Sequence, residues 1–102
     1  MWTKQEEPSM KSESESLAEF MNKVVVLDSK SHIFYIGTLV GIDEWFYTLT
    51  DVDVHNHSDS TSTKEVYTLD TLRYGIRKNR NKVLVKKNEI ISISLLSDVI
   101  EY

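Results

Sequence analysis

The chain has 102 residues, 40% of them hydrophobic, no cysteine, three glycines, one proline and a formal net charge of −4. That length supports one hydrophobic core. The missing cysteines exclude disulfides, thiolate metal sites and a cysteine nucleophile. No run is apolar and long enough to span a bilayer, and residues 1–20, with Glu6, Glu7, Glu13, Glu15 and Glu19, hold no signal-peptide core, so a cytoplasmic protein is expected. The net charge repels a polyanion at long range, so nucleic-acid binding requires a local positive surface. Arg73, Arg77, Lys78, Arg80, Lys82, Lys86 and Lys87 crowd one stretch, against an acidic start and an acidic middle around Asp51, Asp53 and Asp59. The same crowding also fits a solvated hairpin with charged edges.

In chain order, residues 1–14 are polar, contain Pro8 and read as a disordered tail, leaving residues 15–102 as the folded domain. Ser16-Leu17-Ala18-Glu19 fits a capping box and predicts a short helix over residues 17–22, whose Leu17, Phe20 and Met21 face the core. From Lys23 onward, β-branched and aromatic runs separated by polar breaks predict strands over residues 23–28, 32–42 and 45–54. Gly37 and Gly41 inside the second run mark bends or close backbone approach. After the polar residues 55–63, a fourth β-like stretch covers residues 64–72, with no further long helix expected. Residues 83–85 and 90–95 complete the pattern, joined by a tight turn in which Asn88 is a candidate for positive φ. No internal repeat is present, so the expected fold is all-β, one small barrel.

Gly37-Thr38-Leu39-Val40-Gly41-Ile42-Asp43, followed by a variable segment and then Val83-Leu84-Val85-Lys86-Lys87-Asn88-Glu89-Ile90-Ile91-Ser92-Ile93, resembles the two motifs of the Sm and LSm family. The resemblance covers residues 16–95. It implies a strongly bent five-stranded antiparallel barrel with a short N-terminal α-helix, joined into a homo-oligomeric ring by edge pairing of the last two strands. An unpaired apolar edge such as Val83-Leu84-Val85 agrees with that implication, because it would otherwise template aggregation.

By the same resemblance the RNA-binding positions are Asp43, Trp45, Tyr47, Lys86 and Lys87. Tyr47 stands where the family has asparagine, and Lys86-Lys87 where it has arginine and glycine, so an amide and a planar guanidinium are replaced by a phenol and point charges. What remains is a general single-strand logic, with aromatic faces for bases and lysines for phosphates. Arg77, Lys78, Arg80 and Lys82 form a second, peripheral basic surface in this reading. Packing in the core or at a subunit interface is the competing role for Trp45 and Tyr47, and a turn cap the competing role for Asp43.

Asp51, Asp53, His55, His57 and Asp59 alternate, and on a continuous strand they would share one face able to ligate zinc, nickel or manganese. Their spacing fits no known metal motif and Asn56, Ser58 and Ser60 give the segment a loop composition, so no metal or other cofactor is expected. His32 has no companion in sequence and reads as a strand residue. No nucleophile elbow, phosphate-binding glycine loop or zinc-protease helix is present, and no small-molecule substrate or membrane is implied. The expectation is a non-enzymatic ring that binds single-stranded RNA or DNA, or else a protein-interaction scaffold of the same fold.

Overall fold

The computed structural model describes residues 12–59 and 63–101. The chain opens with α1 (Glu13–Leu17), capped by Ser12, whose side chain accepts from the Glu15 amide while the Glu15 carboxylate accepts from the Ser12 amide, both at 3.2 Å. The sequence holds this Ser-x-x-Glu pattern twice in succession. The first copy is the cap used, one turn upstream of the expected Ser16 and Glu19, so the helix begins earlier than residue 17 and residues 18–20 tighten into a 3₁₀ turn. Most of the expected tail lies outside the described residues, and Glu13 and Ser14 at its end belong to α1. Asn22, at φ 62°, turns the chain into the sheet and donates its amide to Leu39 O at 2.7 Å.

Five antiparallel strands follow: β1 (Val24–Ser29), β2 (Ile33–Ile42), β3 (Phe46–Asn56), β4 (Arg80–Lys86) and β5 (Ile90–Leu95). Their spatial order is β4-β3-β2-β1-β5, so β4 and β5 are the two open edges of one sheet. Both of its faces are covered. Val25, Leu27, Leu39, Tyr47, Leu49, Val52 and Val85 form one core with Leu17 of α1. Val26, Phe34 and Ile36 form a second with Tyr67 and Leu96 on the opposite face. Successive residues of β1 serve the two cores in turn, which is why Val24-Val25-Val26-Leu27 is continuously apolar.

Where β2 crosses β3 the ladder shifts. Ile36 pairs with Asp53 but Thr38 with Thr50, so the single residue Gly37 opposes Asp51 and Val52. Asp51 takes up the extra residue at φ 51°, a β-bulge. Gly37 suits this crossing because a Cβ would lie 3.1 Å from both Thr50 O and Val52 Cγ2, close enough that these neighbours would have to give way. A second shift lies between Leu39 and Gly41.

Residues 64–72, expected as a strand, are instead helix α2 (Lys64–Tyr74). Of the β-branched and aromatic residues that suggest a strand, three form its buried face and Val66 is exposed. Tyr67, Thr68 and Thr71 lie at helical spacing, and the two threonine hydroxyls donate back to Lys64 O at 2.8 Å and Tyr67 O at 3.0 Å. Thr63 caps the start by accepting from the Val66 amide at 3.2 Å, and Gly75 at φ 98° ends it. Lys64 forms an ion pair with Asp28 of β1, and Tyr67 donates to Asp53, a carboxylate only 1% exposed. Asn79 Nδ2 donates to the other Asp53 oxygen at 3.3 Å. Between β4 and β5 the turn is a 3₁₀ turn over Lys87–Glu89. Asn22 and Asp51 are the non-glycine positions with positive φ among the described residues, so the expectation for Asn88 is corrected.

Two outcomes follow from this architecture. Gly37→Ala should lower stability by about 1–3 kcal/mol in urea unfolding, since backbone must move to admit the methyl group. Gly41→Ala should cost less, because its Cβ would meet only the Thr48 side chain at 3.4 Å. Burial first, and then donation to Asp53 and the Asp53 charge, push the Tyr67 phenol up from 10.0 to about 12, with Arg77 acting the other way. A folded pKa above the unfolded one gives stability that is fully present below pH 10 and is lost as pH rises through 12. In an absorbance titration, Tyr67 should therefore ionise late, and Tyr67→Phe should abolish that late step.

Candidate nucleic-acid interface

Asp43, Trp45, Tyr47, Lys86 and Lys87 come together where the β2–β3 turn meets the β4–β5 turn. Phe46 pairs with Lys86 and Tyr47 with Val85 across the β3–β4 ladder, and the Lys87 amide donates to Trp45 O at 2.9 Å. Backbone pairing brings together two turns that are far apart in sequence.

Asp43 organises the first turn. Its carboxylate accepts from the Trp45 amide at 2.8 Å and the Phe46 amide at 2.7 Å, while its own amide donates to Phe46 O at 3.0 Å. The Trp45 amide first and the Phe46 amide second hold this carboxyl below the usual carboxylate range. Slight desolvation opposes them, and the Lys87 charge adds a smaller lowering effect. The turn-cap role is the one its bonds describe.

Trp45, held by that turn, leaves 67% of its surface exposed. Tyr47 differs: it is 8% exposed, packs in the core beside Leu49 and Val85, and has the Lys87 ammonium 5.7 Å from its ring centroid. Trp45, Lys86 and Lys87 line a cleft of about 310 Å³ together with Glu44 and Asn88. The sequence motifs mark neither of the last two as a site residue. Asn88 has the composition of a turn former, although it directly follows Lys86-Lys87, and it brings to the cleft the amide that Tyr47 does not supply. Glu44 adds a carboxylate to the same wall.

The peripheral basic surface is partly engaged within the chain. Lys78 pairs with Asp51 at 2.8 Å and the Arg77 guanidinium lies 5.4 Å from the Tyr67 ring centroid, while Arg80 and Lys82 are exposed at the start of β4. Asp51, Asp53, His55 and His57 do not form one ligand face. The bulge turns Asp51 out of the alternation, Asp53 is occupied by Tyr67 and Asn79, and His55 stacks on Tyr67 at 3.8 Å. Among the described residues no three potential ligands converge on a metal position. His32, without a companion in sequence, has one in space: its ring lies 5.2 Å from that of His57.

No protein-family model matches the chain, and no curated protein matches it in sequence. Solved structures do match in fold. The Sm protein of Pyrococcus abyssii, solved in complex with a uridine heptamer, superposes with a TM-score of 0.56 at 16% identity, covering 83% of this chain and 99% of that one. An Sm-like protein from Archaeoglobus fulgidus gives 0.55 at 14% identity, covering 86% and 99%. A chain of the NatC complex bound to CoA gives 0.53 at 16% identity, covering 87% and 88%. The fold is therefore Sm-like: a five-stranded antiparallel sheet with a short N-terminal helix. Among the described residues no helix is long and apolar enough to cross a membrane.

The Asp43 bonds give a test of the site's scaffold. Asp43→Ala should speed hydrogen exchange at the Trp45 and Phe46 amides, and Asp43→Asn, which keeps one acceptor oxygen, should speed it less. Because the folded pKa is lowered, the stabilisation is present above the unfolded value near 3.8 and is lost as pH falls through the lower folded value.

Proposed function

We propose that this chain assembles through its open edges β4 and β5 into a cyclic homo-oligomer that binds single-stranded RNA, or DNA, and that it works by binding in the cytoplasm without catalysis. The observation that carries this reading is the cleft itself, an exposed indole beside two lysines and an amide at the junction of two turns. Trp45 offers a face for a base, Lys86 and Lys87 offer charge to phosphates, and Asn88 offers an amide to a base edge. Asp43 fixes the turn that presents the indole. Tyr47 supports Lys87 from beneath and takes little part in stacking while it remains buried. A ring repeats this cleft once per subunit, so interactions of about 1–3 kcal/mol per stacked base add along a strand despite the negative net charge. The uridine heptamer bound by the Pyrococcus protein supports the RNA reading, although Tyr47, standing where the Sm family has asparagine, weakens the case for uridine selection.

A scaffold ring that binds protein and no nucleic acid is the second reading, and two observations favour it. Glu44 places a negative charge in the cleft, and one of the matching chains belongs to a protein complex, NatC.

Titration of an unstructured RNA oligonucleotide at several salt concentrations separates the two. On the RNA reading affinity falls with salt, and Lys86→Ala with Lys87→Ala reduces the logarithmic salt slope by roughly 0.7 for each phosphate that is no longer neutralised. Trp45→Ala should cost about 1–3 kcal/mol per stacked base at nearly unchanged slope. Oligomer size is measured in each variant, so that loss of the ring is not mistaken for loss of the site. A ring that takes up no RNA at low salt selects the scaffold.

A further inference from the structure

The two open edges of the sheet differ in charge. β4 carries Arg80, Lys82 and Lys86 and no carboxylate, whereas β5 carries no charge at all. Strand addition by backbone pairing alone is poorly selective, because every extended segment presents the same N–H and C=O groups. Selection has to come from groups beside the edge.

Such groups stand at the C-terminal end of β5. Ser94 and Leu95 open onto a groove of about 250 Å³ whose other walls are Glu65 of α2 and Asp98, Val99 and Ile100 of the C-terminal segment. Glu65 and Asp98 are exposed and enter no ion pair among the described residues, and Ile100 is 78% exposed. The walls are held in place. Lys64 ties α2 to Asp28 of β1, and Arg73 ties its far end to Glu101.

We infer that this groove receives the start of β4 from a second copy of the chain, making α2 and the C-terminal segment the part of the subunit interface that selects its partner. The inference rests on the assembly proposed above and adds its register and its charge pairs. Every strand pairing within the sheet is antiparallel. An incoming β4 that continues this pattern sets its N-terminal end beside the C-terminal end of β5. Arg80 and Lys82 then meet Glu65 and Asp98. A parallel approach would bring only Lys86 to the groove. Of the basic residues around the start of β4, Lys78 is already paired with Asp51, whereas Arg80 and Lys82 have no ion pair among the described residues and are open to this pairing. The opposite charges also favour the correct encounter and oppose mismatched ones.

Charge reversal tests the inference in the full chain. Protein carrying Glu65→Lys and Asp98→Lys, and separately protein carrying Arg80→Glu and Lys82→Glu, should each need about tenfold or more concentration to assemble, read by light scattering, with circular dichroism confirming the fold. Mixed in equal amounts, the two variants should assemble together, because pairing a reversed groove with a reversed β4 makes opposite charges face each other again. Glu65→Gln with Asp98→Asn should weaken assembly less and in the same direction, which keeps the test intact if a reversal variant does not fold. If all variants assemble at the wild-type concentration, or if mixing restores nothing, the charge pairs are overturned while the ring stands. A wild-type chain that is monomeric at every concentration overturns the ring and the inference with it.

Discussion

Gly37 faces two residues of β3 where an unbroken ladder would give it one, and the extra residue, Asp51, sits at a positive φ. Before the bulge, Tyr47 and Leu49 point into the first core. In unbroken alternation Asp51, Asp53 and His55 would follow them there. The inserted residue reverses the alternation, so Val52 and Val54 face that core and Asp53 and His55 face the other side of the sheet. Three polar side chains are thereby kept out of the first core, where unpaired burial would cost several kcal/mol in total. The helix α2 depends on the same shift, since its Tyr67 needs Asp53 on that face to accept its hydroxyl. The placement of α2 thus depends on the bulge, and the small size of Gly37 favours it, since a Cβ there would press on Thr50 O and Val52.

The strands are largely legible in the sequence, because apolar runs bounded by polar breaks are a local signal. The expected spans 23–28, 32–42, 45–54 and 90–95 coincide with β1, β2, β3 and β5 to within two residues at each end. The run at residues 83–85 is the apolar centre of β4, whose ends are basic and solvated and so carry no hydrophobic signal. The helix α2 is hidden because Val66, Tyr67, Thr68 and Thr71 have strand propensity that packing overrides. Its caps, Thr63 and Gly75, are present but stand beside a segment whose composition suggests strand. The N-terminal helix starts one turn earlier than expected because two Ser-x-x-Glu capping patterns occur in tandem and local chemistry does not rank them.

For the candidate site, residue identities are legible and their burial is not. Asp43, Trp45, Lys86 and Lys87 lie at one junction because β3 and β4 pair in register, a juxtaposition the motif order implies. Tyr47 has the same distance from the turn as any strand aromatic, and only the fold shows that it faces the core. Asn88 escapes notice as a cleft residue because turn residues and binding residues share a composition. The alternating Asp and His positions fail as a metal face for reasons periodicity cannot express: the inserted residue removes Asp51 from the face, Tyr67 and Asn79 occupy Asp53, and His55 stacks on Tyr67. Charge follows the same division, with the chain negative overall while Arg80, Lys82, Lys86 and Lys87 stand at the cleft and along one sheet edge.

Photo-crosslinking of an unstructured single-stranded RNA to the assembled protein, with the attachment points mapped by mass spectrometry, tests the central claim most directly. The account expects crosslinks on the segments bearing Trp45 and Lys86-Lys87-Asn88, suppressed by high salt and lost from the first segment in Trp45→Ala. Crosslinks confined to other surfaces, or none at low salt from a protein that remains assembled, would contradict it.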